Sequence, residues 1–187
     1  MRIISGQFKG KKILEPKDKN TRPLKDLTKE SIFNILNHSN KFDVNIEGSS
    51  VLDLFSGVGS FGVECLSRGA KHVTFIENYK GVLPILKKNL ANLKMDKKFQ
   101  IIEEDIFGIN IFRNITIKFD IIFLDAPYKE KKISTIIENI LEKKILKNKG
   151  IIVIHRHRAE SDDFIENFKI LDEKKYGISK VIFGILN

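Results

Sequence analysis

At 187 residues, with 42% hydrophobic and 30% charged side chains, the chain has the size of one globular domain plus a small appendage, and its composition excludes a disordered or collagen-like polymer. Its one cysteine, Cys65, excludes an internal disulfide, and four scattered histidines give no metal-ligand cluster, so no metal is expected. No apolar run reaches the ~18 residues of a membrane span, and Met1-Arg2-Ile3-Ile4-Ser5-Gly6 is not followed by an apolar leader segment. A cytoplasmic protein without membrane partners is expected, with a monomer as the default.

The net charge of +9 is unevenly spread. Residues 1–42 hold ten basic and four acidic side chains, +6 in under a quarter of the chain, whereas residues 43–187 carry only +3. A basic head on a nearly neutral body predicts a nucleic-acid-facing surface. The Lys87-Lys88, Lys97-Lys98 and Lys143-Lys144 pairs read instead as solvated helix and strand ends.

In chain order, residues 1–14 alternate loosely around Gly6 and Gly10 and predict a small hairpin. Pro23 then opens a helix with Thr21 as its cap, and Leu24, Leu27, Ser31/Ile32, Ile35 and Leu36 fall on its packing face. Turn-rich segments at Asn37–Asn40 and Asn45–Ser50 mark a seam, dividing a head of residues 1–42 from a body of residues 43–187. In the body, strands are expected at Val51–Phe55, His72–Glu77, Phe99–Ile102, Phe119–Leu124 and Gly150–Ile154. Helices are expected at Phe61–Ser67, Leu83–Leu93 and Ile133–Leu146, with a short helical piece at Phe164–Phe168. Two further strands, Phe168–Leu171 and Ile178–Leu186, flank a turn at Lys175–Gly177. Aliphatic strands alternating with helices predict a doubly wound, mostly parallel α/β sheet, whose ligands sit at the carboxyl ends of the strands.

The polar residues ending those strands therefore carry the functional reading. Gly57, Gly59 and Gly62 spell a GxGxxG loop after the first strand, and Glu77 closes the second, 24 residues after Asp53. This would fit a dinucleotide fingerprint, but Asp53 beside the loop would repel a pyrophosphate and suits a ligand whose nearby end is an ammonium group. Glu103-Glu104-Asp105 puts another carboxylate on the rim, able to accept from an adenine amine or a ribose. The fourth strand runs into Asp125-Ala126-Pro127-Tyr128. Pro127 holds Ala126 extended, so the Asp125 carboxylate and Ala126 carbonyl can converge on one –NH2 group while Tyr128 offers a face for stacking.

On these residues the chain resembles the class I S-adenosylmethionine-dependent methyltransferases, and within them the RsmD-type 16S rRNA guanine-N2 methyltransferases. The resemblance is carried by Met1–Lys12, by Thr21-Arg22-Pro23 running through Lys29–Leu36, by Leu52–Ser60, by Asp125–Tyr128 and by the late Tyr176-Gly177…Lys180 segment. It implies a Rossmann-like seven-stranded sheet with an antiparallel last strand and a small hairpin-plus-helix extension. Asp53, Phe55, Ser56, Gly57 and Gly59 would line the methionine side of S-adenosylmethionine. Glu77 and Asn78 would hold its ribose, and Asp105 with Ile106 its adenine. The catalytic loop, Asp125, Ala126, Pro127 and Tyr128, would take a guanine, position 966 in the family, leaving S-adenosylhomocysteine as product. The expected partner is 16S rRNA within an assembled or assembling small ribosomal subunit. Arg2, Lys9, Lys11, Lys12, Arg22 and Lys29 would grip its backbone. Ala126 stands where the family usually has proline, which keeps the carbonyl acceptor but adds a backbone N–H.

Rival readings remain at this point: an adenine-N6 methyltransferase, because similar pockets also serve adenine; an NAD-dependent oxidoreductase, if the glycine loop cradles phosphate; and a noncatalytic RNA-binding protein. His155-Arg156-His157-Arg158 reads as a solvated loop or an RNA contact, with no catalytic part.

Overall fold

The computed structural model describes residues 1–16, 24–108, 111–112 and 115–187. Its secondary structure comprises α1 (Asp26–His38), β1 (Ser50–Leu54), α2 (Ser60–Ser67), β2 (His72–Ile76), α3 (Leu83–Ala91), β3 (Phe99–Ile102), β4 (Phe119–Leu124), α4 (Ile133–Glu142), β5 (Leu146–His157), β6 (Phe168–Tyr176) and β7 (Ser179–Leu186). The strands form one seven-stranded sheet in the order β3-β2-β1-β4-β5-β7-β6. β1 to β5 pair in parallel, and β7 is antiparallel to both β5 and β6. This is the Rossmann-like, doubly wound, mostly parallel architecture with an antiparallel last strand expected from the sequence. Strand order reverses between β1 and β4, which places a ligand crevice at their carboxyl ends.

Period-two alternation sorts the strand side chains into two cores. Val51, Ile121, Phe123, Ile151 and Val153 face one layer with α2 and α3, and the head adds Ile3, Ile13, Ile32 and Phe33 to that same layer. Leu52, Leu54, Ile122, Ile152 and Ile154 face the other, with Ile133, Ile136, Ile137 and Ile140 of α4. Gly62 permits the close approach of α2 to the sheet: a Cβ there would lie 2.3 Å from Phe75 Cε1.

The structure departs from expectation in several elements. The N-terminal hairpin is reduced to a single antiparallel bridge between Arg2 and Lys12. α1 begins at Asp26 with Lys25 as its N-cap, while Thr21, Arg22 and Pro23 lie outside the described residues. The phase of α1 also differs. Its buried face is Thr28, Lys29, Ile32, Phe33 and Leu36, and Leu27, placed on the packing face by the sequence reading, is 80% exposed. The expected helix at 133–146 stops at Glu142, because Lys144 takes a left-handed φ of 52° and Leu146 already opens β5. β5 runs on through His155-Arg156-His157, so that segment is strand rather than loop. No helix forms at 164–168. The segment is too short to nucleate one, and a turn packs Phe164 against Phe168 with ring centroids 4.9 Å apart.

Candidate active site

β1 ends in a sharp bend. Phe55 takes φ 57°, a conformation costly for a bulky residue, and its ring meets Phe107 at 6.2 Å. Ser56 then donates its N–H to Ile76 O at the tip of β2 (3.1 Å), and Gly59 donates to Ser56 O at 2.7 Å. Gly57 (φ 54°) and Gly59 (φ 81°) supply the left-handed backbone the turn requires. Gly57 N–H donates to Glu77 Oε2 at 2.7 Å, and Glu77 Oε1 accepts from Asn78 N–H (3.0 Å) and Tyr79 N–H (2.8 Å). The Glu77 carboxylate is thus fixed against the glycine loop before any ligand arrives.

Asp53 is 1% exposed and accepts from Gly62 N–H at 2.9 Å. Burial pushes its carboxyl well above the usual carboxylate range; the Gly62 N–H opposes this, and the negative charges of Asp125 and Glu77 add to it. A cation bound among the three carboxylates would relieve that repulsion. A phosphate would aggravate it.

At the end of β4, Asp125 Oδ1 lies 2.7 Å from His155 Nδ1 on β5. Ala126 is buried, Pro127 exposed and Tyr128 half-buried. Glu130 N–H donates back to Pro127 O at 2.8 Å, closing the turn. Arg156, fully buried, clamps this loop from β5. It donates to Pro127 O at 3.1 Å and Glu130 O at 2.8 Å, and its charge is met by Asp162 at 2.9 Å. The Tyr128 ring meets the His155 and His157 rings edge-on, with centroids 6.1 and 5.0 Å away.

A cavity of about 590 Å³ opens between these loops, within the range of small-molecule and cofactor sites. Asp53, Phe55, Ser56, Gly57, Glu77, Asn78, Asp105 and all of Asp125, Ala126, Pro127 and Tyr128 line it. Two expected residues lie behind that lining. Ile106 is packed into the hydrophobic core while Phe107 faces the cavity, and Gly59 shapes the start of α2. Among the described residues, no group of histidine, cysteine and carboxylate side chains could hold a metal ion, and no helix is long and apolar enough to cross a membrane.

Four residues that hold this site together were missed or misread from sequence. Arg156 and His155 were given no part in the site. Asn89 ties the glycine loop to the head, donating to Val58 O (3.0 Å) and Leu14 O (3.1 Å) and accepting from Leu14 N–H (2.9 Å). Glu64 binds the head to α2, accepting from Ile4 N–H at 2.8 Å and Ser5 N–H at 2.9 Å. Of the head cations, Arg2, Lys9, Lys11 and Lys12 are exposed, although Lys11 Nζ donates to Asn92 O at 2.5 Å. Arg22 lies outside the described residues. Lys29 is not a surface cation: it is fully buried, donates to Arg2 O at 2.8 Å and Ser60 Oγ at 3.3 Å, and lies 3.9 Å from Glu64. These bonds, beneath the head, place it out of reach of an RNA backbone in this structure.

A family model described as "Conserved hypothetical protein 95" matches residues 1–185. The "Ribosomal RNA small subunit methyltransferase D" of Haemophilus influenzae is 34% identical over 179 residues, spanning 95% of this chain and 90% of the relative. YlbH of Bacillus subtilis is 33% identical over 183 residues, covering 97% of this chain and 96% of the relative. Among solved structures, yhhF of Escherichia coli superposes with a TM-score of 0.80 at 26% identity, over 98% of this chain and 96% of that one. HI0767 of Haemophilus influenzae gives 0.77 at 31% identity, over 100% and 99%.

Proposed function

The chain belongs to the Conserved hypothetical protein 95 family, with the small-subunit rRNA methyltransferase D proteins among its relatives, and on that premise we propose that it methylates the exocyclic N2 of a guanine in 16S rRNA using S-adenosylmethionine. The observation that carries the reading is the shared cavity. One wall is the glycine loop with Glu77; the other is Asp125–Tyr128; and the lining carboxylates favour a cationic ligand.

S-adenosylmethionine supplies, when bound, a methyl group made electrophilic by its sulfonium. Asp53, Phe55, Ser56 and Gly57 hold the methionine end, with Gly59 shaping the loop from behind. Glu77 accepts from the ribose hydroxyls beside Asn78, and Asp105 accepts from the adenine amine. Asp125 and the Ala126 carbonyl accept the two hydrogens of the guanine amine, favouring a pyramidal nitrogen whose lone pair is free to attack. Tyr128 stacks on the base, a contact worth about 1–3 kcal/mol, after the base has left its own stack. Orientation of this kind contributes up to about 7–11 kcal/mol in favourable cases. Asp125 acts by position and charge, since the methylated amine is acidic enough to shed its proton without a strong base.

Residues 1–42 serve as an RNA-facing extension and residues 43–187 as the methyltransferase body of a cytoplasmic monomer. Arg2, Lys9, Lys11 and Lys12 offer exposed cations for backbone contacts that position the enzyme without reading sequence. The test is incubation of the purified protein with methyl-labelled S-adenosylmethionine and small subunits lacking the modification, followed by nucleoside analysis. Label in N2-methylguanosine is expected. Label in N6-methyladenosine, or calorimetric binding of NADH in place of S-adenosylmethionine, would overturn the reading.

A further inference from the structure

His155 stands apart from the other buried polar residues of the sheet. Its side chain is 7% exposed and it lines the cavity, yet it comes from β5 rather than from either loop that sequence marks as functional. Nδ1 lies 2.7 Å from Asp125 Oδ1. Nε2 is buried and has no hydrogen-bond partner among the described residues. Most buried side-chain nitrogens have a hydrogen-bond partner; here one ring nitrogen is committed to the Asp125 loop and the other has none among the described residues, in a side chain that lines the cavity. With Asp125 ionised, the carboxylate can only accept, so Nδ1 carries the hydrogen and donates.

The consequence falls on Asp125. A carboxylate at the end of a strand can rotate about its last bond and offer either oxygen, or both, to a ligand. Anchoring Oδ1 from β5, a strand in register with β4 through Leu124 and Ile154, removes that freedom and leaves Oδ2 to accept from a ligand in the cavity that Asp125 lines. Arg156, the next residue, immobilises the carbonyls of Pro127 and Glu130, so consecutive residues of one strand fix the side-chain half and the backbone half of the same loop.

We propose that His155 is a positioning residue for methyl transfer, its Nδ1–H locking Asp125 so that one defined oxygen receives the substrate amine. This rests on the methyl-transfer reading above. Asparagine carries an N–H the same number of bonds from Cα as histidine Nδ1, so His155→Asn keeps the donor to Asp125 while losing the ring; His155→Val loses both.

The experiment measures single-turnover methyl transfer to unmodified small subunits and, separately, calorimetric affinity for S-adenosylhomocysteine. His155→Val should lose about 10²-fold in rate, the scale of a reacting group misplaced by about 1 Å, with cofactor affinity within about twofold of wild type. His155→Asn should recover most of that rate. Equal losses in the two variants would make His155 a packing residue and overturn the proposal. The wild-type protein keeps the two readings separable: no transfer by wild type overturns the methyl-transfer reading itself. Nitrogen-15 spectra of the histidine rings, which need no activity, then read the bond. A hydrogen on Nδ1 of His155, redistributed by Asp125→Asn, is expected, and a hydrogen held on Nε2 in the wild type would refute the locked geometry.

Discussion

Glu64→Ala should weaken the anchoring of the head on the body, and the structure sets the size of the effect. The Glu64 carboxylate is fully buried and accepts from Ile4 N–H, Ser5 N–H and Arg68 Nε at 2.8–2.9 Å, with the Lys29 ammonium 3.9 Å away. Removing it strands two backbone donors and leaves Lys29, beyond its bonds to Arg2 O and Ser60 Oγ, with Asp26 as its remaining carboxylate, at 3.5 Å and itself 39% exposed. Breaking a buried pair from one side costs about 3–5 kcal/mol, a large share of the roughly 5–15 kcal/mol that holds a domain together. With a urea slope of about 2 kcal/mol per molar, the midpoint should fall by about 2 M. Lys29→Met should cost less, about 1–2 kcal/mol, because Glu64 keeps its other three donors. Urea unfolding followed by circular dichroism on both single variants and the double variant gives the coupling between them. A Glu64→Ala midpoint shift no larger than that of Lys29→Met, or a coupling below about 0.5 kcal/mol, would refute the account of how the head is anchored.

Burial holds the Lys29 ammonium below its usual pKa of 10.5, with Glu64 and Asp26 opposing. The native state therefore binds fewer protons there than the unfolded chain, so stability should rise with pH between the depressed value and ~10.4, and Lys29→Met should flatten that rise. Asp53 has the opposite sign: its raised pKa means stability falls as pH climbs from ~3.9 through the folded value. Asp53→Asn should accordingly raise the Tm of the cofactor-free protein at neutral pH relative to its effect at pH 4, while weakening S-adenosylmethionine binding in calorimetry. Asp125→Ala and Tyr128→Ala should abolish methyl transfer with cofactor affinity nearly intact; wild-type kcat in either variant would remove that loop from the site. Charge removal at Lys9 and Lys12 should flatten the logarithmic salt dependence of RNA binding by about 0.7–0.9 for each phosphate no longer neutralised, measured by filter binding across a salt series.

Wherever local pattern decides, the sequence was readable. Aliphatic runs such as Phe119–Leu124 became strands because burial on both faces requires them, and the glycine loop and Asp125–Tyr128 were visible because polar residues abruptly end such runs. What escaped was set by partners distant in the chain. His155 reaches Asp125 across 30 positions, Glu64 reaches Ile4 across 60, and Asn89 reaches Leu14 across 75. Nothing local to any of them announces a partner. Lys29 is different, since a signal was present: it lies three, four and seven residues before Ile32, Phe33 and Leu36, on the buried stripe of α1. Weighting its charge over its spacing sent it to the surface and brought Leu27 inward. The helix took the other phase because Glu64 and the Arg2 carbonyl give a buried ammonium the partners it needs.

Charge is segregated by depth in this molecule. The chain carries +9, yet the cavity is lined by the carboxylates of Asp53, Glu77, Asp105, Asp125 and Glu130, and no lysine or arginine is among its described lining residues. An enzyme that bound phosphates in its crevice would need the reverse, with donors and cations inside. On the proposed reading, a polyanion would be attracted to the exposed basic head and repelled from the crevice, so an RNA backbone would be held outside while a neutral base enters. The same carboxylates that would turn phosphate away would lower the energy of a cationic donor, inside a partly buried site where salt screens them less than it screens the head. One distribution of charge would thus separate the two proposed ligands: the polyanion would stay on the surface and contribute a base, and the cation would occupy the interior.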